Sequence, residues 1–435
     1  MKKKLSGRFL ASLVIFSLVG QIAWVVENMY FNVFIYKMFR ADAAAISTMV
    51  AASAIAAALT TLLMGALSDK VGKRKLFIAG GYIIWGISIQ AFSLIRLDML
   101  SPLAGSAAAA MTLGVSLVIV MDCVMTFFGS TANDACFNAW LTDSTGEGDR
   151  GKAEGINSMM PLLAVLVVFG GFMSFDLDQA KSWTIIYMIV GSVVFLAGIL
   201  GLFLLEDPDI KPQKEESVIS NILYGFRPEV IRQNRLLYLI LAAFILFNIS
   251  IQIFMPYLIL YYTVALKLEN YVLIMAPAIL LASVVTFFYG RIYDRLGFLR
   301  SVVPSLLMLM SGYTLLYFFR NTPLVFIGSL LMLSGYLSGM AVFGAMIRDN
   351  TPAGKAGRLQ GLRIFSQVLI PGVIGPWIGA LVLKNADTIL NDDGTKSFIP
   401  NENIYLAAFI AALVTLAMLL VCRRLFRRKR LNNTD

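Results

Sequence analysis

Glu27, Asp122, Asp134 and Arg363 are ionisable residues set in stretches otherwise apolar enough to lie in lipid. A charge at the centre of a bilayer costs about 2.5–3.5 kcal/mol or more, so a side chain kept there marks chemistry that needs it. Two kinds of chemistry fit. Burial disfavours the charged form of a carboxylate, which lets Glu27 or Asp122 exchange a proton near neutral pH. Carboxylates and amides beside flat aromatic faces also suit a hydroxyl-rich solute. Around Glu27, the residues Gln21, Trp24, Asn28 and Asn32 recur every three or four positions and make one helix face polar. Asn138 follows Asp134 by one turn. A later stretch carries Asn248 and Gln252, then Tyr257, Tyr261 and Tyr262. Plainer uses compete. The three tyrosines suit an interfacial belt better than a ligand platform, Asn28 and Asn32 can simply tie helices together, and Asp134 can pair with Arg363.

The elements that must position these residues are membrane helices. Hydrophobic residues make up 58% of the chain and charged ones 14%, with a mean hydropathy of +0.78. Only helices and closed barrels satisfy their backbone in lipid, and the weak alternation of barrel strands is missing. Apolar runs of spanning length fall at roughly 9–36, 44–68, 76–96, 107–141, 153–175, 182–205, 236–264, 270–290, 300–319, 323–347, 357–383 and 404–422. The expected fold is an all-α membrane protein with twelve spanning helices. The opening "MKKKLSGRF" imitates a secretory signal, but the run after it is too long and carries Glu27, so it reads as the first span.

Most of the 36 Lys and Arg residues fall in the tails and in the even-to-odd connections, which places both termini in the cytoplasm. The net charge of +10 is then a signal of topology and of anionic lipid. "RRLFRRKR" directly follows the last span, so it is no nucleic-acid site. Histidine is absent, and phosphate-binding glycine loops and zinc spacings are missing, which argues against an enzyme and against a cofactor or metal. Cys123 and Cys136 lie about 20 Å apart on one helix, too far to bridge, and Cys422 stands at the end of the last span.

The chain repeats itself. "TDSTGEGDRGKAEG" (Thr142 to Gly155) aligns without a gap on "RDNTPAGKAGRLQG" (Arg348 to Gly361), pairing Asp143 with Asp349, Thr145 with Thr351, and Gly148, Gly151 and Gly155 with Gly354, Gly357 and Gly361. "GALSDKVGKRK" returns as "GRIYDRLGFLR", pairing Gly65, Asp69, Lys70 and Gly72 with Gly290, Asp294, Arg295 and Gly297. Asn28, Asn32 and Phe34 echo more faintly as Asn248, Gln252 and Phe254. Two six-helix bundles, 1–205 and 236–422, are therefore expected, joined by a charged loop at 206–235 and followed by a basic tail at 423–435. Such a pair of repeats describes a carrier that rocks around a midplane site. In the first repeat, Asp and Thr suit a helix cap, and the glycines suit tight turns and close helix packing.

The stretch Gly65-x-x-x-Asp69-Lys70-x-Gly72-Lys73-Arg74-Lys75 resembles the loop signature of the major facilitator superfamily at every defined position. That resemblance implies gating roles for Gly65, Asp69, Lys70, Gly72 and Arg74 and for their counterparts Gly290, Asp294 and Arg295; Asp143 and Asp349, in the other repeated segment, are expected to share in gating. It also implies a cavity lined by the first, fourth, seventh and tenth helices. "NDACFNAWLTDSTGEGDRG" is similar to the fourth-helix segment of the glycoside-pentoside-hexuronide:cation symporters, the melibiose permease group, and places Asp134 at a sugar-binding carboxylate. The second helix departs from that group: "ASAIAAALTTLLMG" carries Thr60 and Thr61 and no acidic residue.

The resulting expectation is a monomeric carrier of the cell membrane, without nucleic-acid partners, that takes up a sugar or glycoside with a proton or a sodium ion. Its substrate contacts are Trp24, Glu27, Asn28, Asn32, Asp122, Asp134, Asn138, Asn248, Gln252 and Arg363. An exporter of drugs or metabolites and a non-transporting membrane sensor are the alternatives.

Overall fold

The computed structural model describes residues 6–145, 147–208, 224–268, 270–351, 361–391 and 393–423. Twelve helices in it are long and apolar enough to cross a membrane: α1 Gly7–Phe39, α2 Ala43–Val71, α3 Arg74–Leu94, α4 Ala107–Asp143, α5 Lys152–Phe172, α6 Ala180–Leu204, α7 Arg235–Ala265, α8 Val272–Leu296, α9 Phe298–Phe318, α10 Thr322–Asn350, α11 Gly361–Leu383 and α12 Asn403–Val421. Each expected span meets its helix within a few residues. The chain forms two compact units, Met1–Val218 with Leu390–Ser397, and Ile219–Ile389 with Phe398–Asp435. A short hairpin, β1 Thr388–Leu390 and β2 Lys396–Phe398, connects α11 to α12.

Polar caps define where several helices start. Asp42 accepts the Ala45 amide at 2.7 Å, Ser106 the Ala109 amide at 3.2 Å and Asn321 the Leu324 amide at 3.0 Å, each satisfying an amide that has no partner within the helix. Gly72 ends α2 in the left-handed region at φ 70°, which explains a glycine at that place in the signature.

The two units pack their helices differently. In the first, α3 and α6 meet at Gly86 and Gly191; a Cβ on Gly86 would lie 2.4 Å from the Phe195 nitrogen. In the second, α9 and α10 approach as closely: a Cβ on Gly335 would lie 2.4 Å from the Leu309 nitrogen. Backbone faces backbone at both places, so no neighbouring side chain could swing aside. The sequence repeat gives no hint of this asymmetry.

Several expectations about the repeated segment are corrected. Gly148, Gly151 and Gly155 lie within the helix Glu147–Phe172 that continues into α5, not in a turn. A Cβ on Gly155 would meet nothing within 4 Å, so close packing does not explain it either. Gly354 and Gly357 lie outside the described residues. Thr145 and Thr351 close the ends of α4 and α10 by donating to the carbonyls of Leu141 and Ile347, both at 2.7 Å. Their role is at a helix C-terminus, and it is the same in both halves. The tyrosine belt is also corrected: Tyr257, Tyr261 and Tyr262 are 0%, 1% and 0% exposed. Their hydroxyls bond inside the second unit, to the Pro376 carbonyl at 3.4 Å, the Leu316 carbonyl at 3.1 Å and the Ser329 hydroxyl.

Candidate functional site

The first unit gathers all three of its intramembrane carboxylates into one polar region. Glu27 stands on α1 where the helix widens into a π segment, Val26–Tyr30. Asp134 stands in a second such segment of α4, Ser130–Phe137. A π turn releases backbone bonds and re-aims side chains, which is why such turns occur at functional positions. Nothing in the apolar pattern of these helices announces either one.

Glu27 is 7% exposed and Asp122 2%. Glu27 Oε1 accepts from the Ser53 hydroxyl on α2 at 2.7 Å and from the Thr126 hydroxyl on α4 at 2.8 Å. Those two hydroxyls lie 2.8 Å from each other. Ser53 also reaches the Asp122 carboxyl, and Glu27 and Asp122 act on each other electrostatically. Glu27 Oε2 and Asp122 Oδ1 are buried with no hydrogen-bond partner among the described residues. Two carboxyls from two helices thus share one serine, and each keeps an oxygen in reserve. Both cannot be charged there cheaply, because like charges in a low-dielectric region repel strongly.

Asp134 is half-buried beside this pair and interacts electrostatically with Glu27. Its Oδ2 accepts from Ser130 at 3.0 Å. The Trp24 indole, which donates to Asn133 Oδ1 at 3.3 Å, also reaches the Asp134 carboxylate. Asn133 is held in turn by the Tyr82 hydroxyl at 2.7 Å, and Trp24 leans on Trp85 with ring centroids 5.0 Å apart. A carboxylate beside an indole whose orientation is fixed from behind is a hydroxyl-recognition geometry. Among the described residues of this unit, no Lys or Arg acts on Glu27, Asp122 or Asp134.

The amides behave otherwise than expected. Asn28, Asn32, Asn138 and Asn248 donate to the carbonyls of Trp24, Asn28, Asp134 and Phe244, each four residues back, at 2.8, 3.1, 3.0 and 2.8 Å. None of these bonds ties one helix to another. Asn28 and Asn138 remain exposed, while Asn32 is buried with Oδ1 unpartnered among the described residues. In the second unit, Gln252 packs against Gly375 of α11, and Arg363 donates to Gln367 Oε1 at 3.4 Å within its own helix. Ser53, Thr126, Ser130 and Asn133 escaped the sequence reading. The available signal was spacing: Thr126 follows Asp122, and Ser130 precedes Asp134, by one turn.

The signature loop forms a second cluster at the C-terminal end of α4. Arg74, only 4% exposed, donates to the Asp69 carboxylate and the Ser68 hydroxyl. Its Nε and Nη2 also reach Asp143 Oδ2 at 3.2 and 3.1 Å. Three expected gating residues, from α2, α3 and α4, therefore meet at one guanidinium. Lys70 is exposed and takes no part, and a Cβ on Gly65 would meet only the Ala135 side chain, at 3.9 Å. The second unit builds its counterpart differently. Leu299 stands where the repeat would put an arginine, and the Tyr293 hydroxyl donates to Asp349 Oδ2 at 2.5 Å. Asp294 and Arg295 are exposed at the end of α8, and a Cβ on Gly290 would meet nothing within 4 Å.

Among the described residues, no group of three or more His, Cys, Asp or Glu has the arrangement of a metal site. The family described as Major Facilitator Superfamily matches residues 6–376. Three solved structures share the fold. One is the nucleoside transporter NupG in a point-mutant form, with 14% identity, a TM-score of 0.71, and coverage of 94% of this chain and 98% of that one. The second is a bacterial homolog of the human lysosomal transporter Spinster, inward-facing and unoccupied, with 13% identity, a TM-score of 0.71, and coverage of 97% and 98%. The third is a D-xylose-proton symporter, with 12% identity, a TM-score of 0.67, and coverage of 94% and 97%. No curated protein matches the chain significantly.

Proposed function

Because this chain belongs to the major facilitator superfamily, and is thus a multi-pass membrane transporter and not an enzyme, we propose that it carries a sugar or glycoside into the cell together with a proton. The observation that carries this reading is the shared serine: Glu27 and Asp122 face one hydroxyl, and each holds a buried oxygen without a described partner. A proton on one of the two carboxyls relieves their repulsion and supplies the missing donor. Asp134 and Trp24 provide the adjoining contact for hydroxyl groups. The fourth-helix segment "NDACFNAWLTDSTGEGDRG" supports the sugar symporter subgroup, and the D-xylose-proton symporter and the nucleoside transporter both handle hydroxyl-rich solutes. In this reading the halves 1–205 and 236–422 alternate access as a monomer, with both termini in the cytoplasm.

Counterflow of labelled monosaccharides and glycosides in proteoliposomes tests the substrate class. Exchange of a lipophilic cation with no sugar exchange would favour the exporter instead. Asp134→Ala gives the sharper measurement. A hydrogen bond to a charged group contributes about 1.5–3 kcal/mol, so losing the carboxylate should weaken binding of the exchanged sugar at least about tenfold. Binding at parental affinity in that variant would remove Asp134 from the substrate site.

A further inference from the structure

Gly129 ends the regular part of α4, just before the π segment that carries Asp134. Its backbone is ordinary right-handed helix, φ −61° and ψ −49°, so no turn calls for glycine there, and alanine would favour the helix. What the position requires is space. A Cβ on Gly129 would lie 2.7 and 2.8 Å from Cε2 and Cζ2 of Trp85 and 2.9 Å from Cη2 of Trp24. The two indoles, with ring centroids 5.0 Å apart, therefore meet over bare backbone. Gly20, one turn before Trp24 on α1, leaves a second space: a Cβ there would collide with Asn133 Nδ2 and the Tyr82 hydroxyl. The polar chain built in that space has a fixed direction. Asn133 Nδ2 donates to the Tyr82 hydroxyl at 2.7 Å, which donates to the Phe16 carbonyl at 2.5 Å, so Asn133 Oδ1 is left to accept from the Trp24 indole at 3.3 Å.

We propose that Gly129 is a positioning residue for solute recognition: its missing side chain seats the Trp24 indole against Trp85 and Asn133, in the place from which it meets the solute beside Asp134. This inference rests on the reading of Trp24 and Asp134 as solute contacts. Of the two indoles, Trp24 is the one with room to yield. Trp85 is 0% exposed and has Tyr82 edge-on at 5.4 Å, whereas Trp24 is half-buried. A methyl group at position 129 overfills the junction, drives the Trp24 ring off Trp85 and breaks a bond to Asn133 that is already long.

The concentration dependence of counterflow, in the full-length protein and with the labelled sugar that the parent exchanges best, gives KM and the maximal rate. Gly129→Ala should raise KM about tenfold, the worth of one displaced contact, with the maximal rate per folded protein within several-fold. A purely structural defect would lower the yield of folded protein and leave KM alone. Trp85→Phe should also raise KM, because Trp24 loses its backing. Adding Gly129→Ala to Trp85→Phe should lower KM again, since the methyl fills the space that the larger ring gave up. That comparison carries the test even where Gly129→Ala alone does not fold: a methyl that leaves the KM of Trp85→Phe unchanged, or raises it further, overturns the role of Gly129. Trp24→Phe separates the inference from the reading beneath it. If Trp24→Phe raises KM and Gly129→Ala in folded protein does not, the role of Gly129 falls and the site stands. If Trp24→Phe keeps the parental KM, or the parent exchanges no sugar, the site reading falls and this inference with it.

Discussion

Glu27→Gln combined with Asp122→Asn should abolish accumulation against a gradient while exchange continues. Each substitution keeps the shape of its side chain, so Ser53 and Thr126 still find an acceptor at position 27. What disappears is the ability of the pair to take up and release a proton. A carrier without that step can still rock with solute bound, but it no longer draws on the proton gradient. Inside and outside concentrations should then level out, where the parent protein concentrates its solute. Each single variant should show part of the same loss, because the two carboxyls share one serine and their effects are not additive. A double variant that still concentrates solute would place coupling elsewhere in the chain.

Asp69→Asn should lower the initial rate of transport about tenfold or more, with solute affinity within several-fold of the parent. Arg74 is fixed by three partners, and Asp69 is one of the two that carry charge. The Asp69 side chain is 45% exposed, so solvent screening limits the stability lost to about 1 kcal/mol. The protein should therefore fold and bind. The cluster sits at the junction of α2, α3 and α4, remote in sequence from Glu27 and Trp24, so the loss should appear in the rate and not in the dissociation constant. Rate and affinity measured together decide the matter. If binding collapses along with flux, Asp69 belongs to the substrate site and not to a gate.

The twelve helices were legible because hydropathy reports solvent, and lipid imposes one solution on the backbone. The α2–α3 signature was legible for a related reason: a positive φ at Gly72 and a buried arginine at position 74 each demand a particular residue type. The partners of the carboxylates were not. Ser53 is one hydroxyl among alanines, and only the meeting of α1, α2 and α4 gives it a role. The π segments at Glu27 and Asp134 shift side chains by a fraction of a turn, which a regular helical period cannot anticipate. The bonds of the asparagines were not legible either: their spacing matched a polar stripe, and the amide nitrogens of Asn28 and Asn32 turn back onto their own helix. The tyrosines misled because an aromatic near a helix end looks the same in sequence whether it faces headgroups or, as Tyr262 does, a serine on a neighbouring helix.

A proton is proposed to travel with the solute through the first unit. The direct measurement loads proteoliposomes containing the purified protein with a pH-sensitive dye and imposes an inward gradient of a sugar that the protein exchanges. The lumen should acidify as the sugar enters, and Glu27→Gln with Asp122→Asn should abolish the acidification while counterflow persists. Sugar entry without any change in lumenal pH in the parent protein would contradict it.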